Sequence, residues 1–125
     1  LKAFATGSQA STYTIPDGVT TIDTSAFVDS QNLVKVVIPD SVITIESSAF
    51  WGCEKLTTVQ MGKNVKVIGD YAFHLCCKLA YITIPQSVTS IGEYVFCGTK
   101  LNTVKWRNGT IKVDHNSPWM YTCLD

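Results

Sequence analysis

Five cysteines and two histidines are the side chains of this 125-residue chain that could act as nucleophiles or metal ligands. Cys53 and Cys76 end two similar stretches, SSAFWGC and DYAFHLC, and HLCC (residues 74–77) places His74 close to two thiols. Three interpretations are open. The thiols could be buried and free, filling a tight corner as small apolar groups. Cys53 and Cys76 could form a disulfide, or His74 and the thiols could bind zinc.

The spacing of these residues favours buried thiols over a zinc site. A structural zinc site usually combines two separated pairs of ligands, and Cys97 and Cys123 do not supply a second pair. Alternate residues of HLCC would also point to different sides of the chain. We therefore expect no metal and no cofactor.

The other motifs do not favour catalysis. A cysteine nucleophile needs a histidine that a third group holds beside it. We expect His74 to face solvent and His115, next to Asp114, to lie in an ordinary turn. The sequence has no G-x-S-x-G motif, no phosphate-binding glycine loop and no paired carboxylates at a recurrent position. We predict that the protein is not an enzyme.

A repeat of about 23 residues organises the chain, and a fixed period of this size is typical of stacked units. Residues of one type recur at this interval in at least three slots, which hold Phe27, Phe50, Phe73 and Phe96; Ile22, Ile45, Ile68 and Ile91; and Val19, Val42, Val65 and Val88. Such units bury their apolar sides only against their neighbours. Leu101 falls one residue short of the interval, because FCGTKL (96–101) is one residue shorter than FWGCEKL (50–56).

Each repeat unit combines extended and turned segments. In LVKVVIP (33–39), Val36 and Ile38 alternate at period two and a proline ends the run, which predicts a short strand. A second short extended piece is predicted just before Ile45. From Ile45 to Leu56 the apolar spacing lengthens to three or four residues, which predicts a helical turn or two. About five such coils, stacked on one another, would share one continuous core.

The repeated pattern L-x-x-V-x-I-P-x-S-V-x-x-I-x-x-x-A-F-x-x-C resembles the BspA-like leucine-rich repeat over roughly residues 13–106. LVKVVIP and LAYITIP are similar to its strand, and SSAFWGC and DYAFHLC are similar to its signature turn. The resemblance implies an α/β-type solenoid, a right-handed coil with a parallel β-sheet on one face and short extended pieces and helical turns on the other. It also implies a surface or secreted protein of bacteria or parasitic protists, often an adhesin, and hence an extracellular or cell-surface location.

Three segments are predicted along the chain. They are residues 1–12 (an N-terminal lead-in or degenerate repeat), 13–106 (the leucine-rich repeats) and 107–125 (a C-terminal cap). The dipeptide Asn108-Gly109 between two extended runs predicts a hairpin in the cap, and Trp119, Met120 and Tyr121 would cover the last coil. The tripeptide NGT (108–110) is also a glycosylation sequon, which would matter only in a eukaryotic secretory pathway.

Charge and hydropathy exclude two classes of partner. Ten basic residues balance ten acidic ones, whereas a nucleic-acid-binding protein usually carries a basic excess or a basic stripe. The chain also lacks 18 consecutive apolar residues, so no transmembrane helix is encoded. We expect neither nucleic-acid binding nor membrane insertion of this segment.

The solvent side of the predicted sheet is the remaining candidate site. If Val36 and Ile38 point inward, strand alternation turns their neighbours outward. The candidate binding residues are Lys35, Val37, Thr58, Gln60, Tyr81, Thr83 and Lys105. They could simply be solvated strand residues, since threonine is common in strands. They could equally form a shallow platform for a protein or glycan partner, because tyrosine is typical of binding hot spots.

The position after each repeated phenylalanine is expected to be exposed on the opposite side. It holds Val28, Trp51, His74 and Cys97. Trp51 is therefore a second exposed aromatic candidate, or it packs against its neighbours. Two functions remain open for the chain as a whole, a non-catalytic binding module at a cell surface and a structural spacer without a ligand.

Overall fold

A computed structural model describes residues 1, 10–107 and 109–113 of the chain. These residues form nine short strands and no helix. The strands are β1 (Thr12–Thr14), β2 (Thr21–Ile22), β3 (Lys35–Val37), β4 (Thr44–Ile45), β5 (Thr58–Gln60), β6 (Val67–Ile68), β7 (Ser90–Ile91), β8 (Thr103–Trp106) and β9 (Gly109–Lys112). Because the described residues contain no helix, they contain none that could cross a membrane.

Two parallel sheets run along the molecule. Sheet A contains β1, β3 and β5 in that order, and sheet B contains β2, β4, β6 and β7. Each strand pairs with its counterpart in the next repeat, as Tyr13 does with Val36 and Ile22 with Ile45. The predicted parallel-strand solenoid is confirmed, with about three turns between the first and the last of its four coils. We number its coils by their first strand positions: coil 1 (12–34), coil 2 (35–57), coil 3 (58–80) and coil 4 (81–102).

A file of phenylalanine rings forms the centre of the core. Phe27, Phe50, Phe73 and Phe96 each occupy the same place in successive coils, and all four are buried. Their ring centroids are separated by 4.7, 5.1 and 5.9 Å along the file, with interplanar angles of 12°, 4° and 10°. The isoleucine, leucine and valine slots surround these rings. One apolar core therefore runs continuously through all four coils.

The prediction of helical turns is wrong. Around Phe27 the amides alternate between two kinds of partner. Those of Ser25 and Phe27 donate to the next coil, at Ser47 and Ala49, whereas the amide of Val28 donates back to Ser25. In an α-helix every amide would donate four residues back and every φ would be negative. Here φ is positive at two recurrent slots, near 60° at Ser25 and 59° at both Ser48 and Tyr71 in one, and 53° at Asp29 and 75° at Gly52 in the other.

Consecutive turns nevertheless reproduce the apolar spacing on which that prediction depended. Consecutive turns, each closed by a bond from the amide of residue i+3 to the carbonyl of residue i, place a buried side chain every three or four residues, as a helix does. The difference is that alternate amides stay available for bonds between coils. These bonds hold one coil to the next on the turn side of the molecule.

Sheet A is also shorter than five stacked coils would give. It ends at β5, because residues 81–84 of coil 4 form no strand pairing with other described residues. After coil 4 the strand pairing changes: β8 pairs antiparallel with β9, with Trp106 opposite Gly109, where the sequence predicts a hairpin, and Val104 stays buried in the core. The predictions for Asp114, His115, Trp119, Met120, Tyr121 and Cys123 lie outside the described residues.

The stacked rings lead to a stability prediction. Phe50→Ala removes a ring that is fully buried between two others, so we expect the free energy of unfolding to fall by about 3–5 kcal/mol. Tyr81→Ala is the matched control, since its ring is 84% exposed and its loss should cost less than about 0.5 kcal/mol. Denaturant unfolding of both variants measures the difference. Equal costs would mean that the file does not form the core.

Candidate functional site

The cysteine slot forms a buried ladder of free thiols. Cys53 and Cys76 are free and fully buried. The thiol of Cys53 donates to the Phe27 carbonyl and that of Cys76 to the Phe50 carbonyl, each at 3.1 Å. Ser30 occupies the same slot in coil 1, and its hydroxyl also donates to Phe27, at 2.8 Å. The prediction of buried free thiols is confirmed, and the slot serves to satisfy a turn carbonyl.

Burial makes these thiols poor nucleophiles. Desolvation raises the pKa of Cys76 well above its ordinary value, and the neighbouring Cys53 raises it further. A thiol with a raised pKa stays protonated at neutral pH, whereas the thiolate is the reactive species. The third free cysteine, Cys97, is buried as well. The thiols of Cys53 and Cys76 therefore have a structural role, as buried donors to turn carbonyls.

His74 is buried, and the prediction that it faces solvent is wrong. Its side chain is 0% exposed. Trp51 packs against it from coil 2, with ring centroids 4.5 Å apart, and Tyr71 packs against it at 5.3 Å. Cys97, which shares its slot, is buried too, whereas Val28 at the start of the stack is 41% exposed. Exposure at this slot therefore differs from one coil to the next. Trp51, half-buried, packs against its neighbours as the second interpretation proposed.

The surroundings of His74 do not form a metal site or a catalytic dyad. Both ring nitrogens are buried without a hydrogen bond of good geometry. Burial lowers the pKa of the imidazole below its ordinary value, and the nearby main chain of Cys97 offsets this only in part. Cys76 directs its thiol toward the Phe50 carbonyl instead, and Cys77 is disulfide-bonded. Within the described part of the chain, no three histidine, cysteine or acidic side chains are grouped so that they could hold a metal.

The predicted binding residues lie on the outer face of sheet A and its continuation. Pairing of β3 with β5 sets Lys35 beside Thr58 and Val37 beside Gln60. Lys35 and Val37 are half-buried, whereas Thr58 and Gln60 are exposed. The other three candidates, Tyr81, Thr83 and Lys105, are also exposed, and the ring of Tyr81 is the most open large apolar side chain among the described residues, at 84%. We call these seven residues the sheet-A face.

A shallow pocket opens on this face between coils 3 and 4. Its volume is about 350 Å³. It is lined by Thr58, Val59, Gln60, Met61, Thr83 and Pro85. Three of these six residues were predicted as binding candidates. The other three, Val59, Met61 and Pro85, were missed, because two of them occupy slots that the repeat assigns to the core and the third closes the strand.

The chain matches the family described as BspA type Leucine rich repeat region, with six copies of the repeat over residues 1–119. No curated protein shows significant similarity to it. Among solved structures, it is similar to a leucine-rich repeat protein of Bacteroides capillosus, with 32% identity, a TM-score of 0.76 and coverage of 86% of each chain. These matches concern the repeat and its fold.

Two further structures show the same likeness to parts of longer chains. A leucine-rich repeat protein of Treponema pallidum has 35% identity and a TM-score of 0.70, over 73% of this chain and 45% of that one. A leucine-rich cell surface protein of Faecalibacterium prausnitzii has 26% identity and a TM-score of 0.73, over 82% of this chain and 27% of that one. The chain thus spans less than half the length of these two proteins.

The buried imidazole predicts a pH dependence of stability. Because the pKa of His74 is lowered in the folded chain, the unfolded chain binds more protons at this residue once the pH falls below about 6.5. Stability should be complete above that pH and should decrease as the pH falls toward the folded pKa. Denaturant unfolding between pH 7.5 and 5 measures the slope. His74→Leu should have a smaller slope; since both proteins keep His115, equal slopes would contradict the prediction.

The thiol ladder predicts slow chemical labelling. In the native protein at pH 8, iodoacetamide should leave Cys53 and Cys76 unmodified, because both side chains are 0% exposed. In guanidinium chloride the same residues should react completely. Peptide mapping by mass spectrometry reads out each position. Labelling of either residue in the native state at the rate of the unfolded chain would show that its thiol is accessible to solvent.

Proposed function

Because the chain belongs to the BspA-type leucine-rich repeat family, we propose that it is a non-catalytic binding module that acts through the sheet-A face. The observation that carries the proposal is the pocket of about 350 Å³ on this face. Pockets of roughly 300–1,000 Å³ are typical of small-ligand sites. Here the pocket combines three predicted candidates, Thr58, Gln60 and Thr83, with an apolar floor.

The distribution of side chains also supports this face. The inward slots hold apolar residues in every coil, because they all pack in one core. The outward column that runs from Thr14 through Val37 and Gln60 to Thr83 changes its chemistry at each step. Packing places few demands on this column, so its residues are free to serve recognition.

Tyr81 is the proposed anchor of the interaction. Its ring is 84% exposed and lies two residues from Thr83, which lines the pocket. Tyrosine offers a rigid apolar ring with a polar tip, so it gains contact area with a small loss of conformational freedom. Lys35 and Lys105 provide positive charge elsewhere on the face. We propose a protein or glycan partner, since leucine-rich repeat domains often mediate protein interactions.

The absence of catalysis is part of the proposal. The buried thiols of Cys53 and Cys76 donate to carbonyls, burial raises the pKa of Cys76, and the buried imidazole of His74 packs against aromatic rings. Each of these groups supports packing between coils. A location outside the cell or on its surface is proposed as well, because one similar structure is that of a leucine-rich cell surface protein.

A structural spacer is the second candidate function. Equal register in successive coils makes a rod whose length follows from the number of coils, and threonine on its flank is common in any strand. A spacer would need no ligand. The two candidates differ in whether the sheet-A face captures a partner.

The binding proposal predicts separable effects on capture and stability. The double variant Tyr81→Ala with Lys105→Ala should reduce capture by at least about tenfold, with an unchanged midpoint of unfolding, because both side chains are exposed. The probe is a panel of immobilised extracellular-matrix proteins and glycans, read by surface plasmon resonance. Lys66→Ala is the matched control, an exposed lysine beside sheet B.

Two outcomes would contradict this proposal. Capture that survives the double variant would place the binding surface elsewhere on the chain. The complete absence of capture across the panel would favour the spacer.

A further inference from the structure

The backbone ladder of sheet A is interrupted between coils 3 and 4. The amide of Ile15 donates to the Val37 carbonyl at 3.0 Å, and the amide of Ile38 donates to the Gln60 carbonyl at 2.8 Å. Met61 occupies the same slot in coil 3, and its counterpart bond would reach Thr83. No backbone hydrogen bond between described residues joins Met61 to coil 4, and residues 81–84 take part in none.

The interruption is confined to one side of the molecule. On the turn side, the amides of Tyr71 and Phe73 still donate to Glu93 and Val95 in coil 4, both at 3.0 Å. Sheet B also continues, because Ile68 pairs with Ile91. In the core, however, the distance between ring centroids grows from 4.7 Å at the first pair to 5.9 Å between coils 3 and 4. Coils 3 and 4 are therefore joined by backbone hydrogen bonds on the turn side and in sheet B, and the described residues lack such bonds only on the sheet-A face.

Gly62 provides a reason in the sequence for this opening. It replaces the proline that closes the strand in the other coils, at Pro16, Pro39 and Pro85. A Cβ at Gly62 would overlap the carbonyl oxygen of Pro39, so only glycine permits this close approach of two backbones. Glycine thus permits the chain after β5 to lie against coil 2, at the point where its hydrogen bonds to coil 4 are interrupted.

The pocket coincides with the interruption and has an uncharged lining. Thr58 and Thr83 contribute hydroxyl groups, Gln60 contributes an amide, and Val59, Met61 and Pro85 contribute apolar surface. The backbone of Met61 and of residues 81–84, which makes no backbone hydrogen bond to another described residue, borders it with donors and acceptors. Main-chain groups that lack a protein partner are usually satisfied by water or by a ligand.

From this combination we propose that the pocket binds a neutral sugar unit of a glycan, with the ring of Tyr81 flanking it. This inference rests on the proposed function and names its ligand class. Each hydroxyl of a sugar can donate and accept, which matches a rim of mixed donors and acceptors. The C–H face of a sugar ring needs apolar surface, which Met61, Pro85 and Tyr81 offer. The lining provides no charge to pair with an ionic ligand.

An added peptide strand fits this opening less well. Neighbouring strands in a sheet are about 4.8 Å apart, so a strand inserted between coils would need about twice that separation. The intact bonds on the turn side and the stacked pair Phe73–Phe96 prevent such a separation. A sugar needs only the rim of the opening.

The first test is amide exchange, which examines the interruption itself. Hydrogen exchange of the whole chain, read by NMR, should be at least about tenfold faster at Met61 than at Ile15 and Ile38, since the latter two amides are hydrogen-bonded in the ladder. Equal protection at the three positions would mean that the ladder closes in solution. The pocket would then lack free main-chain donors and acceptors, and the inference would be wrong.

The second test is an NMR titration with lactose, N-acetyllactosamine and cellobiose, together with sialyllactose as a charged probe. We expect saturable shifts of the amides of Val59, Met61 and Thr83 with at least one neutral sugar. Thr83→Val removes one hydroxyl and keeps the shape, and it should weaken binding about three- to tenfold. Thr14→Val is the matched control from the same outward column, and it should change affinity less than twofold.

The outcomes separate this inference from the proposed function. Saturable shifts at the pocket that weaken in Thr83→Val but not in Thr14→Val support it. Shifts confined to other surfaces overturn it, as does binding of sialyllactose alone. If no sugar binds but a matrix protein is captured through Tyr81, the sugar inference falls and the binding function stands. If neither is observed, both fall.

Discussion

Alignment of equivalent residues in neighbouring coils is the constraint on which the rest of the structure depends. It brings each phenylalanine ring onto the next at 4.7–5.9 Å, and it pairs each strand of sheets A and B with a copy of itself. No single coil could bury its apolar side alone. The same alignment lets alternate turn amides donate hydrogen bonds to carbonyls of the adjacent coil. Core packing and backbone hydrogen bonding therefore stabilise the stack along the same axis.

This constraint also explains where function can reside. Inward slots and turn amides are committed to contacts between coils, so variation is concentrated on the outer face. At Gly62 the repeat departs from its own pattern, and beside that departure the ladder opens and a pocket forms. A local irregularity in a regular stack is thus the most informative feature of the surface. The buried His74 is a second irregularity, tolerated because Trp51 and Tyr71 enclose it.

The sequence predicts the solenoid, its parallel pairing and its core well, because the constant interval of the repeat directly records which side chains meet. It does not distinguish a helical turn from successive tighter turns, since both bury a residue every three or four positions. The distinguishing feature is a left-handed backbone at two recurrent slots: the second holds Gly52 and Gly98, whereas Ser25, Ser48 and Tyr71 in the first carry no glycine signal. Propensity at these positions is overruled by the bonds between coils.

The site was predictable only in part. Strand alternation identifies Thr58, Gln60 and Thr83 as outward-facing, and all three line the pocket. The pocket itself depends on a small widening of the gap between two coils, which no periodic pattern encodes. The burial of His74 was missed for a related reason: the same slot is 41% exposed at Val28 and buried at His74 and Cys97. That outcome varies from coil to coil, so the slot alone does not determine it.

The equal register of the coils has a consequence for how such a protein can change over generations. A coil presents the same pairing edge above and below, with Val36 bonded between Tyr13 and Val59 in the stack. Duplicating or deleting a gene segment that encodes one whole repeat would therefore lengthen or shorten the molecule without disturbing the joints. Where the repeat is one residue short before Leu101, the following strand β8 pairs with β9 instead of with a strand of sheet A, although Val104 stays buried. Length can thus evolve in whole steps, independently of the chemistry displayed along the flank.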